Sequence, residues 1–439
     1  MHIGNIDCTR DNSTMTTGKM HIAERARKFK GEALTNLHQF ITIDDLHESY
    51  ERLNKYSSAG IDGATWNTYG QQMELRFPEL LCEFKAGVYK VPPIRRVYIP
   101  KGKDEKRPLG IPTIEDKVLQ SSVRRILEPI YETDFKDFSY GFRSGRSAHD
   151  AVDHLHKKVS FEGMHYIIDA DIKNYFGSID HSILRSFFDL RVKDGVIRRM
   201  IDKWLKAGVI DGDELCYPKE GTPQGGIISP LLSNIYLHYV LDEWFSEIIQ
   251  PLLSGKSFIV RYADDFVLGF ANKQDAERVM KVLPKRFGKY GLELHLDKTK
   301  LINLTNKRIE GKRSFDFLGF THFLGVTRNG KQVLKRKTSK KKFSQSISNV
   351  KYWIKSNYHL KLSDLIVGLN AKLRGHYSYY GISFNYRGVL RFYEEVKRLL
   401  HKWLNRRGGK PSWNWDNKLI PLVTQWIPLL KPKIYHSVF

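Results

Sequence analysis

The chain is short of three things. It has 3 cysteines in 439 residues, Cys8, Cys82 and Cys216, and none is paired at a metal-ligand spacing. That excludes a disulfide framework and a cysteine-based zinc site, and it fits a reducing, cytosolic setting. No apolar run is long enough to span a bilayer, and the polar first 30 residues carry no hydrophobic core of a secretion signal. Acidic residues are outnumbered, 48 Asp and Glu against 72 Lys and Arg, a net charge of +24. A surplus of that size excludes an acidic ligand-buffering protein and points to a polyanionic partner, most simply nucleic acid.

What is present supports a folded chain of two or three domains, because 41% of residues are hydrophobic. The basic surplus is uneven. Residues 331–410 hold about 20 Lys and Arg against 3 Asp and Glu, a concentration suited to a phosphate-backbone surface. There is no fixed-period repeat and no low-complexity tract.

The pattern is mixed. Residues 1–40 read as a mobile polar segment. Leu46, Tyr50 and Leu53 predict a helix over 42–54, with Asp44 and Asp45 at its start. A second helix is predicted over 71–86, ending at Gly87. Val97 to Pro100 reads as a strand, followed by a charged loop bracketed by Lys101 and Arg107. Leu119, Val123, Ile126, Leu127 and Ile130 have helical spacing. The stretch Phe138 to Ser147 mixes aromatics and glycines with Arg143 and Arg146, a composition suited to bases and phosphates or to a packed loop. Leu231 to Phe245 reads as helical, and Ala276 to Phe287 as an amphipathic helix holding Pro284. Leu292 to Leu296 alternates like a strand, and Phe315 to Phe320 reads as a strand or hairpin. From Thr338 onward the periodicity is helical. Leu365, Leu369, Leu373 and His376 share one face; Val389, Phe392, Tyr393, Val396, Leu399, Leu400 and Trp403 form another stripe, with Arg391, Lys397, Arg398 and Lys402 outside it. Residues 411–439 read as an irregular tail.

Three acids stand where acids are costly. Tyr166 to Ile172 reads as a buried strand carrying Asp171 near its end. Phe258 to Phe270 reads as two short apolar strands around a tight turn bearing Asp264 and Asp265. A surface turn would also place acids there, but charges between buried strands call for a compensating cation. Brought together, the three make an oxygen-only site for Mg²⁺, or Mn²⁺ in its place. Two such ions about 3.5–4 Å apart serve nucleotidyl transfer. Gly221 to Pro230 is glycine-rich and lets backbone or ligand approach closely.

The ordered stretches 107–112, 138–148, 170–179, 221–230, 262–265, 292–300 and 317–320 together closely resemble the reverse transcriptases encoded by group II introns and their bacterial relatives. The resemblance covers roughly residues 40–405. It implies an α+β right-hand fold: an N-terminal extension over 41–90, fingers and palm over 91–330, and a basic helical thumb over 331–410. It implies that Asp171, the Ile172 carbonyl, Asp264 and Asp265 bind two metal ions, and that Lys298 donates a proton to pyrophosphate. Lys101, Arg107, Phe176 and Gln224 would then hold the incoming dNTP, with Phe176 excluding a 2′-hydroxyl. Phe317, Leu318 and Gly319 would grip the primer. Arg143, Arg146, Arg391, Lys397 and Lys402 would face nucleic acid. The implied partners are an RNA template, a DNA or RNA primer and dNTPs, with no membrane. Family members commonly continue past the thumb into a DNA-binding region and a Cys/His endonuclease, whereas about 30 residues follow it here, without a cysteine cluster. That departure favours a stand-alone enzyme copying a noncoding RNA, as in phage defence, over an intron maturase.

Overall fold

The computed structural model describes residues 17–437, apart from 101–105, 213, 218–219, 306–312 and 408–412. The architecture is mixed α+β, and its contacts divide the chain into two units. The first holds residues up to Ala151, Ala170–Phe266 and Gln274–Lys300; the second holds Val152–Asp169, Val267–Lys273 and Leu301–Phe439.

The first unit opens with helices α1 (Thr17–Lys28), α2 (Ile43–Glu51), α3 (Trp66–Gly70) and α4 (Met73–Ala86). Helix α1 replaces the mobile segment expected over 1–40 in its described part. Its Ile22, Ala23 and Ala26 are buried at i, i+1, i+4, an apolar face that a polar average conceals. Helix α2 starts where a capping box puts it: the Thr42 hydroxyl accepts the Asp45 N–H, and the Asp45 carboxylate accepts the Thr42 N–H. Gly87, at φ 75°, ends α4 in the left-handed region.

Strands β1 (Ile94–Pro100) and β2 (Lys106–Ile111) pair antiparallel, with Ile99 opposite Arg107. The long buried helix α5 (Ile114–Tyr131) follows, then α6 (Ala148–Phe161) and β3 (Tyr166–Ala170). After α7 (His181–Asp189) and α8 (Gly195–Leu205) come β4 (Val209–Asp211) and β5 (Glu214–Cys216), which complete a sheet of order β2-β1-β4-β5. Helix α9 (Ser229–Leu237) runs on in wider π-type turns through Ile249. Strands β6 (Ser257–Tyr262) and β7 (Asp265–Phe270) bear out the expected hairpin, and α10 (Lys273–Gly288) continues through Pro284 to Gly288. With β8 (Lys300–Asn303), these make a sheet of order β6-β7-β3-β8. Strand β3, which leads to Asp171, therefore lies beside β7, which Asp265 begins.

In the second unit, β9 (Ser314–Phe317), β10 (Phe320–Val326) and β11 (Gln332–Thr338) form an antiparallel sheet of order β11-β10-β9. Three helices follow: α11 (Lys340–Asn357), α12 (Leu362–Tyr380) and α13 (Tyr386–Leu404). The expected apolar stripes are their shared core: Leu365, Leu369 and Leu373 pack with Val389, Phe392, Val396 and Leu400. The region expected as a basic helical thumb over 331–410 thus begins with strand β11, and its helices follow from Lys340, close to the helical periodicity expected from Thr338 onward. The expected irregular tail is part of that core, because Leu419, Leu422, Val423 and Leu429 are buried in it. Among the described residues no helix is long and apolar enough to cross a membrane.

His376 is buried in this bundle, its ring stacked on Phe392 at 3.6 Å between centroids. Burial pushes its pKa down to about 3, and burial with the nearby Arg336 does the same to His322. Both imidazoles take up a proton in the unfolded chain below their ordinary value of about 6.5, but not in the folded one. The unfolded state therefore binds more protons as pH falls from about 6.5 toward 3, and stability drops across that window. In chemical-denaturation measurements, His376→Phe is expected to make the acid-side loss of stability shallower, because one differential proton is gone.

Candidate active site

The acidic turn is built around a buried guanidinium. Arg261 lies in the middle of apolar β6 and is fully buried, a placement tolerable only if its charge is matched. Asp242, equally buried, accepts from Nε at 2.8 Å and from Nη2 at 2.5 Å. Nη1 donates to Asn234 Oδ1 at 2.9 Å and to the Ala263 carbonyl at 3.0 Å. Ala263 holds φ at 57°, a left-handed conformation uncommon for a non-glycine residue. The guanidinium thus fixes the carbonyl of the strained residue just before Asp264. Sequence reasoning missed this group; the signal was an arginine inside an otherwise apolar strand.

The aromatic–glycine loop proves to be scaffold. Arg261 N–H donates to the Phe138 carbonyl at 2.9 Å, Tyr140 N–H donates to the Arg261 carbonyl at 2.8 Å, and Asn234 Nδ2 donates to the Gly141 carbonyl at 2.7 Å. A Cβ at Gly141 would collide with the backbone nitrogen of Ala263. Arg143, expected to face nucleic acid, is instead 3% exposed. It grips Glu132 with Nε and Nη2 and donates through Nη1 to the carbonyls of Lys136 and Ser139. Its donors are consumed in closing its own loop. Arg146 is tied to the Asp137 carboxylate and carbonyl, both at 2.7 Å, and is partly exposed.

Asp171 follows β3 directly. The segment expected as a strand over 292–296 makes a single antiparallel bridge, Ile172 opposite Leu294. Lys173 N–H donates to the Glu293 carbonyl and His295 N–H to the Asp171 carbonyl, both at 2.8 Å. This is the non-hydrogen-bonded kind of pair, so the Ile172 carbonyl faces away from Leu294. The chain then turns, with Lys298 N–H donating to the His295 carbonyl at 3.0 Å, and strand pairing cannot continue. That turn carries Lys298 Nζ to 2.7 Å from Asp171 Oδ2.

Asp264 is held above the usual carboxylate range, chiefly by burial and then by the neighbouring Asp171 charge; Arg107 and Arg261 pull it the other way. Asp171 and Arg107 therefore both lie within electrostatic reach of Asp264. Among the described residues no three His, Cys, Asp or Glu side chains converge as a ready metal cage. The donor set still fits a divalent cation: the Asp264 carboxylate with the Asp171 charge acting on it, a third carboxylate beside Asp264 in sequence, and a carbonyl facing away from its bridge partner are hard oxygen ligands.

Three hydrogen bonds to backbone carbonyls link Phe176, its turn and the loop of Gln224. Tyr175 is buried and donates from its hydroxyl to the Ser233 carbonyl at 2.6 Å, anchoring the short turn that holds half-buried Phe176. Thr222 N–H donates to the Phe176 carbonyl at 2.7 Å, and Gly221, at φ 88°, leaves no room there for a Cβ. Gly110 N–H donates to the Gln224 carbonyl at 2.6 Å, joining the strand of exposed Arg107 to the loop of Gln224. Arg107, Phe176 and Gln224 thus sit on directly bonded segments. Lys101 lies outside the described residues.

Residues 99–322 match the family described as reverse transcriptase (RNA-dependent DNA polymerase). The chain belongs to this reverse transcriptase family. It is of group II intron type, since residues 340–419 match the group II intron, maturase-specific domain. Over 293 residues it is 34% identical to the group II intron-encoded protein LtrA of Lactococcus lactis subsp. cremoris, covering 66% of this chain and 44% of that protein. It is 34% identical over 295 residues to protein YkfC of Escherichia coli K12, covering 59% of this chain and 74% of the relative. It is 39% identical over 170 residues to an uncharacterized 91 kDa protein in the cob intron of Schizosaccharomyces pombe, 39% of this chain and 21% of the relative. The chain therefore spans less than half the length of LtrA.

The second unit of this reverse transcriptase carries the remaining expected residues. Leu318 and Gly319, at φ 50° and 79°, make the tight turn between β9 and β10. The Leu318 carbonyl accepts the Tyr379 hydroxyl at 2.9 Å, and the Gly319 carbonyl accepts the Ser339 N–H at 3.0 Å. Phe317, expected to touch the primer, has its side chain in the core at 1% exposed. In the maturase-type bundle, Arg391 and Lys402 are exposed. Lys397 is not: its side chain is 12% exposed, paired with Glu394 at 2.8 Å and lying over the Tyr393 and Trp415 rings. Its aliphatic stem follows the apolar stripe, so its position outside the stripe did not leave it free.

Arg261→Met is expected to cost about 3–5 kcal/mol, because Asp242 is left buried and unpaired. Urea unfolding of Arg261→Met, and of the Arg261→Met/Asp242→Leu double variant, checks this. The double variant is expected to regain much of the loss; equal stabilities of wild type and single variant would contradict the account of the turn.

Proposed function

We propose that this reverse transcriptase copies RNA into DNA by two-metal nucleotidyl transfer and acts as a maturase whose RNA partner is a group II intron. One observation carries the reading: a single chain holds the polymerase match over 99–322 and, directly after it, the maturase-specific match over 340–419. The name of LtrA, a group II intron-encoded protein, is consistent with it. The expectation of a phage-defence enzyme rested on how little chain follows the thumb, and that length carries no weight. The maturase-specific match supports the intron role instead.

The residues support a division of labour. Asp171, Asp264, Asp265 and the Ile172 carbonyl would hold Mg²⁺ or Mn²⁺, which when bound lowers the cost of deprotonating the attacking hydroxyl and of releasing pyrophosphate. Arg107 is exposed on β2 with its charge acting on Asp264, so its guanidinium would hold a triphosphate beside the acids. Phe176 supplies bulk beneath the sugar, and Gln224 an uncharged donor and acceptor beside it. Lys298, an ammonium within reach of Asp171, is placed to give a proton to leaving pyrophosphate. Arg391 and Lys402 remain as exposed cations for nucleic acid.

Asp264→Ala/Asp265→Ala is expected to abolish primer extension on an RNA template while leaving RNA affinity within about twofold, since the acids contribute no binding charge. Retained extension would remove these residues from the chemistry. Phe176→Ala is expected to raise ribonucleotide incorporation relative to dNTPs in single-turnover assays; an unchanged preference would assign the gate elsewhere. For the partner, sequencing RNA that copurifies from cells decides. Intron RNA supports the maturase, and a neighbouring noncoding RNA with its cDNA would restore the defence reading.

A further inference from the structure

The Gly221–Pro230 loop has no side-chain cap of its own where it enters α9. Its support comes from α5. Gln120, 2% exposed, accepts the Ile228 N–H with Oε1 at 3.3 Å and donates from Nε2 to Asp116 Oδ2 at 2.7 Å. Asp116, 1% exposed, takes its second donor from Trp204 Nε1 of α8 at 2.7 Å on Oδ1. Within the loop, Ser229 Oγ donates to the Pro223 carbonyl at 2.9 Å, and a Cβ at Gly226 would meet Gln120 Oε1 at 3.2 Å. Gln224, which follows Pro223, accepts Gly110 N–H from the strand of Arg107.

We propose that Gln120 and Asp116 are positioning residues of the nucleotide pocket: the Asp116 carboxylate orients the Gln120 amide, and the amide sets the loop that presents Gln224. The proposal rests on reading that loop as the one contacting the incoming nucleotide.

The orientation follows from donor counting. An ionised carboxylate only accepts, so the amide must turn its NH₂ toward Asp116, which leaves its oxygen for Ile228. A carboxylate buried with no cation bonded to it is costly, and burial pushes Asp116 up to about 6, still ionised at neutral pH. A core helix gains nothing in packing from such a group, whereas a fixed amide gains its direction. In Asp116→Asn the carboxylate becomes a second amide. Keeping its oxygen toward Trp204 sets two NH₂ groups against each other or flips the Gln120 amide, and the flip confronts Ile228 N–H with a donor. Adding Gln120→Glu restores both bonds with donor and acceptor exchanged. The amide introduced on the first turn of α5 then donates to the introduced carboxylate, whose other oxygen accepts the Ile228 N–H.

The test compares the full chain with Asp116→Asn, Gln120→Leu and the Asp116→Asn/Gln120→Glu exchange. Three quantities are read: KM and kcat for dNTP on a primed RNA template, hydrogen–deuterium exchange of peptides covering 225–231, and thermal melting. Each single variant is expected to raise KM for dNTP on the order of tenfold with kcat within about twofold, the signature of a weakened uniform contact. Deuterium uptake over 225–231 is expected to quicken in both single variants, and the double exchange to recover KM and protection together. Wild-type KM and protection in the single variants would overturn the proposal. So would a folded double exchange no better than the worse single variant. If Asp116→Asn fails to fold while the double exchange folds, the pairing is supported; if both fail, Gln120→Leu decides by the same readouts. If the wild type incorporates no dNTP, the polymerase reading fails, and deuterium uptake at 225–231 alone still decides whether the two residues hold the loop.

Discussion

The acidic turn depends on one buried ion pair. Two carboxylates on a tight turn repel each other and any neighbouring acid, and the turn begins with a residue in a left-handed conformation. Neither feature is stable by itself. Arg261 offsets both: its charge is matched by Asp242 at full burial, and its remaining donors hold the strained Ala263 carbonyl and Asn234. Because the pair is dry, it has one geometry, and that geometry passes through Asn234 to Gly141 and so to the loop of Arg143. The acids proposed for metal binding can therefore stand side by side without the turn relaxing around them.

The same pattern recurs elsewhere in each unit. Polar side chains that look like ligand groups in the sequence are frequently committed to partners within the fold. Arg143 closes a loop, Lys397 covers aromatic rings, and Gln120 caps a helix from a neighbouring one. What is left as candidates for ligands is a smaller set: Arg107, Phe176, Gln224, Asp171 and Lys298 around the acids, and Arg391 and Lys402 on the helical bundle. A strongly basic chain thus offers fewer free cations than its net charge suggests, because several are partners of its own carboxylates and carbonyls.

The order of motifs along the chain was enough to read the polymerase. Strand period, turn residues and the spacing of acids are local properties, so β3, the β6–β7 hairpin, the β9–β10 hairpin and the stripes of α12 and α13 follow from the residues themselves. The family resemblance ran through those same stretches. The expected strand over 292–296 failed because alternation was present but a partner was available for one residue only, Ile172, before the chain turned to bring Lys298 to Asp171. The tail looked irregular because its apolar residues lack a single period; over Trp415–Leu419 and Leu422–Trp426 it winds in wide π-type turns, which put Leu419, Leu422 and Val423 into the bundle core.

The sequence by itself determined the chemistry class, the mix of α and β, and which carboxylates are candidates for the site, because all three are written in local pattern and in order along the chain. Only the tertiary structure decided which cations are free, which glycine lies against a strained turn, and which buried amide supports the Gly221–Pro230 loop. Those are questions of partnership between residues far apart in sequence, such as Arg261 with Asp242 or Gln120 with Ile228, and a hydrogen bond leaves no period in the chain that makes it.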